Sequence, residues 1–231
     1  LIDFNPVTNT KIIAPDKPKR EFLSEAQREL LLEILKDHRM FPLIYTMLHT
    51  GMRRGEALAL TWSDVDFENK LIHVSKATEY ENSKPKPKDP KTENGFRDIP
   101  MSEELENFLS EYKKKTKSIY VFPGHTGGPM GLTELKNQWR KAEKKIEKWF
   151  TNNPHTNIEP FGLTCRLLRH TFCTALYDAG IDELSAADIM GHTISVMKEI
   201  YTHISEERKQ TTAEKIKALY KNNTLYKKIS K

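Results

Sequence analysis

The amino-acid sequence predicts a mainly α fold with a small antiparallel β-sheet, an α+β class. Amphipathic helical patterns with capping residues fill most of the chain, and strand-like alternation is confined to residues 62–122. The composition agrees with this, because 231 residues with 37% hydrophobic side chains can form the core of one large domain or two small ones.

Three helices are predicted before the sheet. Ser24 precedes the first, with Gln27 three residues later as in a capping box. The apolar stripe of this helix consists of Leu30, Leu31, Ile34 and Leu35. The second helix begins with Phe-Pro at 41–42, and Gly51 is placed to end it. The sequence R-G-E-A-L-A-L at 54–60 predicts a third, short helix.

The predicted sheet follows these helices. Residues 71–74 alternate as a half-buried strand does. Residues 81–95 contain three Pro, one Gly and four Lys, which indicates a basic, exposed turn leading to a second strand at 96–99. After a helix over 103–112, residues 119–122 are predicted to form a short strand.

The remainder of the chain is predicted to be helical. Residues 133–149 form a helix with a basic face, and 150–162 form a loop that contains Pro and Asn. Further helices are expected at about 165–179, 182–190, 194–201 and 206–220.

The composition also excludes several classes of protein. No apolar run approaches the roughly 20 residues of a membrane helix, so no membrane partner is expected. Two cysteines cannot form a disulfide framework, and a reducing, cytoplasmic compartment is expected. The carboxylates show no metal-ligand spacing, so neither a metal nor a cofactor is expected. The formal charge of +5 favours a polyanionic partner.

Five side chains are notable for their positions. Arg53 follows the helix that Gly51 ends, and Lys91 lies in the basic turn. Arg169 lies on a predicted helix, His192 follows a glycine at a helix junction, and Tyr201 comes nine residues later. Taken singly, each is more readily explained as a surface charge, a solvated lysine or a half-buried aromatic residue.

In this order, the segments that carry them resemble the catalytic domain of the tyrosine recombinases, the family of phage and conjugative-transposon integrases. T-G-M-R-R-G-E-A-L-A-L at 50–60 is similar to the first arginine box, and P-K-T-E-N-G-F-R-D-I-P at 90–100 to the lysine-bearing β-hairpin. L-L-R-H-T-F at 167–172 resembles the second arginine box. M-G-H-T at 190–193 and I-Y-T-H at 200–203 resemble the histidine and tyrosine boxes.

The resemblance implies an enzyme that breaks and rejoins DNA through a 3′-phosphotyrosyl intermediate, without metal or ATP. Tyr201 is the implied nucleophile, and Arg53 and Arg169 would neutralise the charge of the phosphate. Lys91 is the implied general acid for the leaving 5′-hydroxyl. His192 would hydrogen-bond the phosphate or help to deprotonate the tyrosine.

One position departs from the family's pattern. Three residues before the second arginine the family carries His or Lys, and Arg166 stands here. A guanidinium stays protonated and cannot act as a general base, but it can donate to a phosphate oxygen. Glu56 is expected to support Arg53 from one helical turn away. His170, beside Arg169, is equally open to a supporting role and to packing.

The resemblance also predicts how the chain is divided. It covers about residues 22–220. Residues 1–22 are interpreted as a linker from a missing N-terminal core-binding domain, with a frayed terminus as the alternative that composition leaves open. Residues 23–205 would form the catalytic domain. Residues 206–231 would form a C-terminal helix and tail that protomers exchange.

Double-stranded DNA at attachment or core sites is the partner that the resemblance implies. The basic side chains expected to contact its phosphates are Lys84, Lys86, Lys88, Arg140 and Lys144. Four protomers would synapse two sites, with an accessory directionality protein as a further partner. The implied outcome is the integration and excision of a mobile element.

Three other functions agree with part of this pattern. A recombinase that resolves chromosome dimers, as Xer proteins do, would use the same chemistry. A catalytically silent DNA-binding regulator with the same fold is supported only by Arg166. A type IB topoisomerase would use the same kind of nucleophile to relax supercoils.

Overall fold

The computed structural model describes residues 21–89 and 95–221, which form eight α-helices, one short 3₁₀ helix (Trp62–Asp64) and five strands. The helices are α1 (Glu25–Leu35), α2 (Phe41–Thr50), α3 (Arg54–Ala59), α4 (Glu103–Lys115), α5 (Leu132–Asn152), α6 (Cys165–Asp178), α7 (Glu183–Met190) and α8 (Ile194–Lys221). The strands are β1 (Val65–Asp66), β2 (Leu71–Val74), β3 (Ala77–Glu81), β4 (Lys84–Lys88) and β5 (Arg97–Pro100). The predicted fold class, mainly helical with a small antiparallel sheet, is confirmed.

Local signals set the ends of the first helices, as predicted. The Ser24 hydroxyl accepts from the backbone N–H of Gln27 at 3.3 Å, and the Gln27 side chain accepts from the Ser24 N–H at 2.9 Å. This is a complete capping box. The second helix ends at Gly51, which has a φ of +61°. Glycine suits this left-handed position because it lacks a Cβ.

The small sheet has the order β1-β2-β5, and all its pairs are antiparallel. Ile72 pairs with Ile99, and both side chains are fully buried. The predicted pairing of 71–74 with 96–99 is therefore confirmed within one residue. The inward faces of these strands join α1, α2, α4, α5 and α6 in the main hydrophobic core.

The predicted turn over 81–95 is wrong in its first half. β3 and β4 form a second, two-stranded sheet, with a tight turn at Asn82 and Ser83. Both turn residues have positive φ, as a type I′ hairpin requires. Two of the three prolines that suggested a turn, Pro85 and Pro87, lie in β4, an edge strand that tolerates them. Residues 90–94, and with them Lys91, lie outside the described residues.

Two further predictions of local structure are wrong. Residues 119–122 do not form a strand, since Tyr120 makes only an isolated bridge to Thr61. The two helices predicted over 194–201 and 206–220 are one continuous helix, α8. No Gly or Pro interrupts the chain between them, so nothing local ends the first helix.

A second, smaller core lies beside the main one, between α6, α7 and α8. Its buried residues are Cys173, Ala186, Ala187, Met190, Met197, Ile200, Tyr201 and Ile204. Within the described ranges, no helix has the length and apolar character to cross a membrane.

Candidate functional site

The site is built around the C-terminal end of α7. Gly191, with a φ of +61°, ends this helix. Its N–H donates to the carbonyl of Asp188, and the N–H of His192 donates to the carbonyl of Ala187. This pair of bonds is a Schellman motif, and it satisfies two of the last carbonyls of the helix. The next three carbonyls point away from the helix without helical donors.

Three arginines from three different elements donate to those next carbonyls. We call the carbonyls of Ile189, Met190 and Gly191 the α7 end carbonyls. Arg97 Nε of β5 donates to the first at 2.8 Å, and Arg169 Nη2 of α6 donates to the second. Arg53 Nη2, at the start of α3, donates to the third at 2.7 Å. Positive charge is favoured here because a helix C-terminus carries partial negative charge.

Glu56 holds two of these arginines from the other side. One carboxylate oxygen accepts from Arg53 Nη1 at 2.7 Å, and the other from the backbone N–H of Arg53 at 2.8 Å. Arg97 grips both oxygens, at 2.7 and 3.2 Å. Burial alone would raise the pKa of Glu56, but the hydrogen bonds and charges of Arg97 and Arg53 lower it. The carboxylate is therefore ionised and fully hydrogen-bonded, the condition that makes a buried charge tolerable.

Arg169 links α7 to the end of α2. Its Nη1 donates to the carbonyl of Gly51 at 2.5 Å, and its Nη2 lies 2.8 Å from His192 Nε2. Burial and the nearby charge of Arg53 lower the pKa of Arg169 to about 9, which leaves it protonated at neutral pH. A guanidinium can only donate, so Nε2 of His192 accepts and the ring proton lies on Nδ1.

His192 is neutral in this arrangement. Burial, together with the positive charges of Arg169 and Arg53, lowers its pKa to about 3. His170, on α6, adds a smaller effect in the same direction, so it lies within electrostatic reach of the site. The predicted residues Arg53, Arg169 and His192 thus come together at the end of one short helix, with Glu56 behind them.

Tyr201 lies apart from this cluster. Its hydroxyl donates to the carbonyl of Ile181 at 3.1 Å, and its ring packs edge-on against Tyr177. Burial raises the pKa of Tyr201, and Cys173, Asp182 and Glu183 raise it further. Ile181 precedes α7 and the arginines lie beyond its other end. Eight residues of helix span about 12 Å, so the phenol and the arginines are separated by roughly the length of α7.

Arg166 and the predicted DNA-contact lysines are all exposed. Arg166 lies in the first turn of α6, three residues before Arg169 and on the same side of the helix. In the β3–β4 hairpin, Lys86 pairs with Glu81 at 2.9 Å and Lys88 with Glu79 at 2.8 Å. Lys84 closes the hairpin opposite Glu81. Two of the three predicted contact lysines in this hairpin are therefore partly neutralised by the facing strand.

A basic cleft of about 420 Å³ lies between α3, α5 and the start of α6. Arg54, Lys136 and Arg140 line it, with Glu143 as the acidic member of the lining. Arg140 and Lys144 lie one helical turn apart on the exposed face of α5, while Leu135, Ala142 and Ile146 are buried. Cys165 also lines the cleft, and burial raises the pKa of its thiol to about 11, so it is not a reactive thiolate.

Sequence analysis missed two residues of this region. Arg54 follows Arg53 directly and lines the basic cleft. Arg97 is buried within the site, and the strand pattern could have identified it. In a strand, residues two apart share a face, so Arg97 lies on the same side as the buried Ile99. In residues 21–89 and 95–221, no group of His, Cys, Asp or Glu side chains is arranged to hold a metal ion.

The key positions of four of the five boxes lie within the described residues, where Arg53, Arg169 and His192 come together and Tyr201 lies on the following helix. The phage integrase family matches residues 21–208, and the chain belongs to that family. Its relatives include the tyrosine recombinase XerC-like protein of Caldanaerobacter subterraneus subsp. tengcongensis. The two are 30% identical over an alignment of 240 residues, gaps included, that covers 94% of this chain and 60% of the relative.

Mobile-element proteins are also among the relatives. The transposase from transposon Tn916 of Enterococcus faecalis is 28% identical over 215 residues, covering 83% of this chain and 50% of the relative. The solved Tn1549 transposon integrase, in complex with transposon right end DNA, has a TM-score of 0.73 and 27% identity. The match covers 92% of this chain and 70% of that one. The crystal structure of XerA recombinase has a TM-score of 0.62 and 25% identity, covering 87% and 66%.

Proposed function

We propose that this chain is the catalytic part of a site-specific DNA recombinase, the integrase of a mobile element. The convergence of Arg53, Arg169 and His192 on the end of α7, one helix before Tyr201, is the observation that carries the proposal. The chain spans about half to two thirds of the length of the relatives it matches, so the activity of the whole protein belongs to the proposal.

The proposed reaction exchanges one phosphodiester for another. The Tyr201 oxygen attacks the scissile phosphorus and forms a 3′-phosphotyrosyl bond, while the bond to the 5′-oxygen breaks. The phenolic proton of Tyr201 passes to solvent water, and the 5′-oxygen gains a proton, with Lys91 as the proposed donor. A 5′-hydroxyl of another strand then reverses the step. The energy of the ester is conserved, so no ATP is consumed.

Arg53 and Arg169 are suited to bind the two non-bridging phosphate oxygens. Arg169 is held by backbone carbonyls and His192, and Arg53 by the carbonyl of Gly191 and by Glu56, which fixes the position of each guanidinium. Three arginines share the single negative charge of Glu56, and the buried Arg97 is its closest match. The cluster therefore keeps a net positive charge for the transition state, the kind of preorganised field that stabilises developing negative charge. Arg166, exposed on the same side of α6, is proposed as a further phosphate contact.

His192 is proposed to hydrogen-bond the phosphate. A histidine with a pKa of about 3 is too weak a base to deprotonate a phenol. Its Nε2 accepts from Arg169 in the free chain, and a phosphate oxygen can only accept, so this bond requires the proton to move from Nδ1 to Nε2 when Arg169 turns to the phosphate. This arrangement favours a positioning hydrogen bond over the general-base alternative.

The Tyr201 hydroxyl must break its hydrogen bond to the carbonyl of Ile181 before it can react. In the free chain its hydroxyl is about one α7 length from the arginines, and it is buried. We propose that assembly on DNA releases it by moving α8, the helix that carries it. Cleavage would then await DNA binding, which protects against stray strand breaks.

Double-stranded DNA is the proposed partner, and the basic cleft is the proposed contact surface. Arg54, Lys136 and Arg140 line the cleft, which borders the start of α6. Arg54 directly follows Arg53 in the sequence. A phosphate backbone along this path would lead directly to the arginine cluster. Lys84 of the hairpin, and the partly neutralised Lys86 and Lys88, are proposed as a second contact, and Lys144 extends the first.

Assembly into a tetramer on two DNA sites is also proposed. Leu184, Ile194 and Val196 are exposed apolar residues, and a cavity of about 330 Å³ lies between α7 and α8. We propose that residues 206–231 of a second copy cover this surface, because they carry Ala213, Ile216 and Leu219 at helical spacing. An accessory directionality protein and a cytoplasmic site of action complete the proposal.

A covalent trap tests this function. The full-length gene product is mixed with nicked duplex that spans the junction of the element and its flank, and an SDS-resistant adduct is sought. We expect an adduct that mass spectrometry assigns to Tyr201, lost in Tyr201→Phe and retained in Tyr177→Phe. Tyr177 is the matched control because its ring packs against Tyr201.

Other results would identify other functions. Tight, specific binding without an adduct would indicate the catalytically silent regulator. Relaxation of supercoiled DNA without site preference would indicate a topoisomerase. An adduct on another residue would mean that the tyrosine box is misassigned.

A further inference from the structure

Arg97 is a buried charge that the proposed chemistry does not itself use. It lies in β5 between two exposed side chains, Phe96 and Asp98, yet its own side chain is only 1% exposed. Phe96 is 55% exposed. Hydrophobicity alone would bury the phenyl ring and expose the guanidinium. The opposite arrangement implies that specific contacts hold Arg97 in place, because removing an ion from water costs several kcal/mol.

The contacts of Arg97 join two elements of the site. Its Nη1 and Nη2 grip the carboxylate of Glu56 on α3, at 3.2 and 2.7 Å. Its Nε donates to the carbonyl of Ile189 at 2.8 Å. Arg97 is therefore a rigid fork between the first turn of α3 and the α7 end carbonyls. Arg53 lies at the start of α3, and His192 directly follows the α7 end carbonyls.

Arg97 also affects the charge balance around Arg53, through the carboxylate that the two arginines share. Glu56 carries one negative charge and receives hydrogen bonds from both Arg53 and Arg97. Arg97 is the buried partner, while Arg53 is 45% exposed and can meet a ligand. With Arg97 present, the carboxylate is already neutralised. Without Arg97, Arg53 would be the one remaining ion-pair partner of Glu56 among the residues that the structure describes.

We infer that Arg97 is a positioning residue for phosphate binding. It neutralises Glu56 and ties α3 to the end of α7, so that Arg53 keeps its charge and its location for a phosphate oxygen. This inference rests on the proposed recombinase function.

The test compares two substrates in single-turnover formation of the Tyr201 adduct. One nicked duplex has an ordinary scissile phosphate, and the other has a methylphosphonate, in which a methyl group replaces one charged oxygen. The variants are Arg97→Met, Arg97→Lys and Arg53→Ala. Asp98→Asn is the matched control, because it lies on the same strand and faces solvent. Equilibrium DNA binding and thermal unfolding are measured alongside.

We expect Arg97→Met to slow adduct formation on phosphate by about 100-fold, the loss typical of a misplaced catalytic group. DNA binding should change little. The loss should be much smaller on methylphosphonate, as for Arg53→Ala, because that linkage has no charge to neutralise. Arg97→Lys should be intermediate, since lysine keeps the charge without the fork. Asp98→Asn should behave as wild type.

An equal loss on both linkages, or no loss, would overturn the inference. If Arg97→Met does not fold, Arg97→Lys takes its place, because it keeps a positive charge beside Glu56 but lacks the fork. It should still be slower than wild type on phosphate, and less so on methylphosphonate. A wild-type protein that forms no adduct with phosphate would instead reject the proposed function.

Discussion

The hydroxyl of Tyr201 donates to the carbonyl of Ile181 at 3.1 Å, at the opposite end of α7 from the arginines. This contact removes the proposed nucleophile from the phosphate site. It also holds the phenol in its protonated, unreactive form, since burial raises the pKa of Tyr201. Under the proposed function this arrangement is a resting state, and the pH dependence of stability should report it.

At high pH, wild type should lose stability faster than Tyr201→Phe. The unfolded tyrosine ionises near pH 10, whereas the folded one stays protonated above it. Its contribution to stability is thus complete below about pH 10 and is lost as pH rises further. Urea unfolding at about pH 8 and about pH 11 would measure the difference between the two proteins. Parallel losses would show that the Tyr201 phenol titrates normally.

At low pH, wild type should lose stability faster than His192→Gln, because His192 is neutral in the folded protein. The pKa of His192 is lowered to about 3 in the folded protein. Near pH 6.5 the unfolded chain therefore binds a proton at this side chain, and the folded chain does not. The stabilisation is complete above about pH 6.5 and declines as pH falls. Between about pH 7 and pH 5, wild type should lose about 1 kcal/mol more than His192→Gln, allowing for partial exposure of the ring. An NMR titration showing a His192 pKa near 6.5 would contradict this.

Gly51→Ala should destabilise the protein and slow cleavage. A Cβ there would lie 2.6 Å from a Phe172 ring carbon and 2.8 Å from the Met190 sulfur, at a φ of +61°. We expect the free energy of unfolding to fall by about 1–2 kcal/mol because of the backbone conformation, and by about a further 1–3 kcal/mol because of the close contacts. Because Gly51 also accepts from Arg169, adduct formation should fall.

Gly127→Ala is the control for that measurement. Gly127 has a φ of +81°, and a Cβ there would meet nothing within 4 Å. It should show only the backbone cost, with unchanged cleavage. Equal thermal shifts for the two variants would mean that the space around Gly51 is not restrictive.

Glu56→Ala should be among the most destabilising substitutions of the site. It leaves Arg97 buried without its ion-pair partner, which costs about 3–5 kcal/mol. Glu33→Ala removes a carboxylate from an exposed pair with Lys36 and should change stability by less than about 1 kcal/mol. Urea unfolding of both variants measures the contrast, and similar small values would show that Arg97 finds other partners.

Arg140→Ala should weaken DNA binding at every sequence. Loss of one phosphate contact should reduce the slope of log affinity against log salt by about 1. Lys114→Ala is the control, because Lys114 is an exposed lysine that pairs with Glu111 on α4. Fluorescence anisotropy over a range of salt concentrations gives both slopes. An unchanged slope for Arg140→Ala would remove the basic cleft from the proposed interface.

The helices and the order of the site residues could be predicted because their signals are local. Ser24 with Gln27, and Gly51 with its left-handed φ, determine helix ends through neighbours in sequence. The same holds for Gly191, which places His192 directly after α7. These positions need no knowledge of distant contacts.

Other features depend on contacts that sequence spacing does not contain. The burial of Arg97 requires Glu56, 41 residues away, and the carbonyl of Ile189, 92 residues away. The resting position of Tyr201 requires the carbonyl of Ile181 and the ring of Tyr177. The β3–β4 hairpin was missed because prolines at an edge strand resemble those of a turn.

The α7 end carbonyls belong to the main chain, so no exchange of side chain can delete them. Systematic alanine replacement would report only lost packing, of Ile189 against the main core and of Met190 in the smaller one, and the acceptors would pass unnoticed. Their contribution would be exposed by replacing single amides with esters, which weakens the preceding carbonyl as an acceptor. The side chains of Ile189 and Met190 could therefore change, within the limits of packing, while the acceptors that hold the three arginines stay constant.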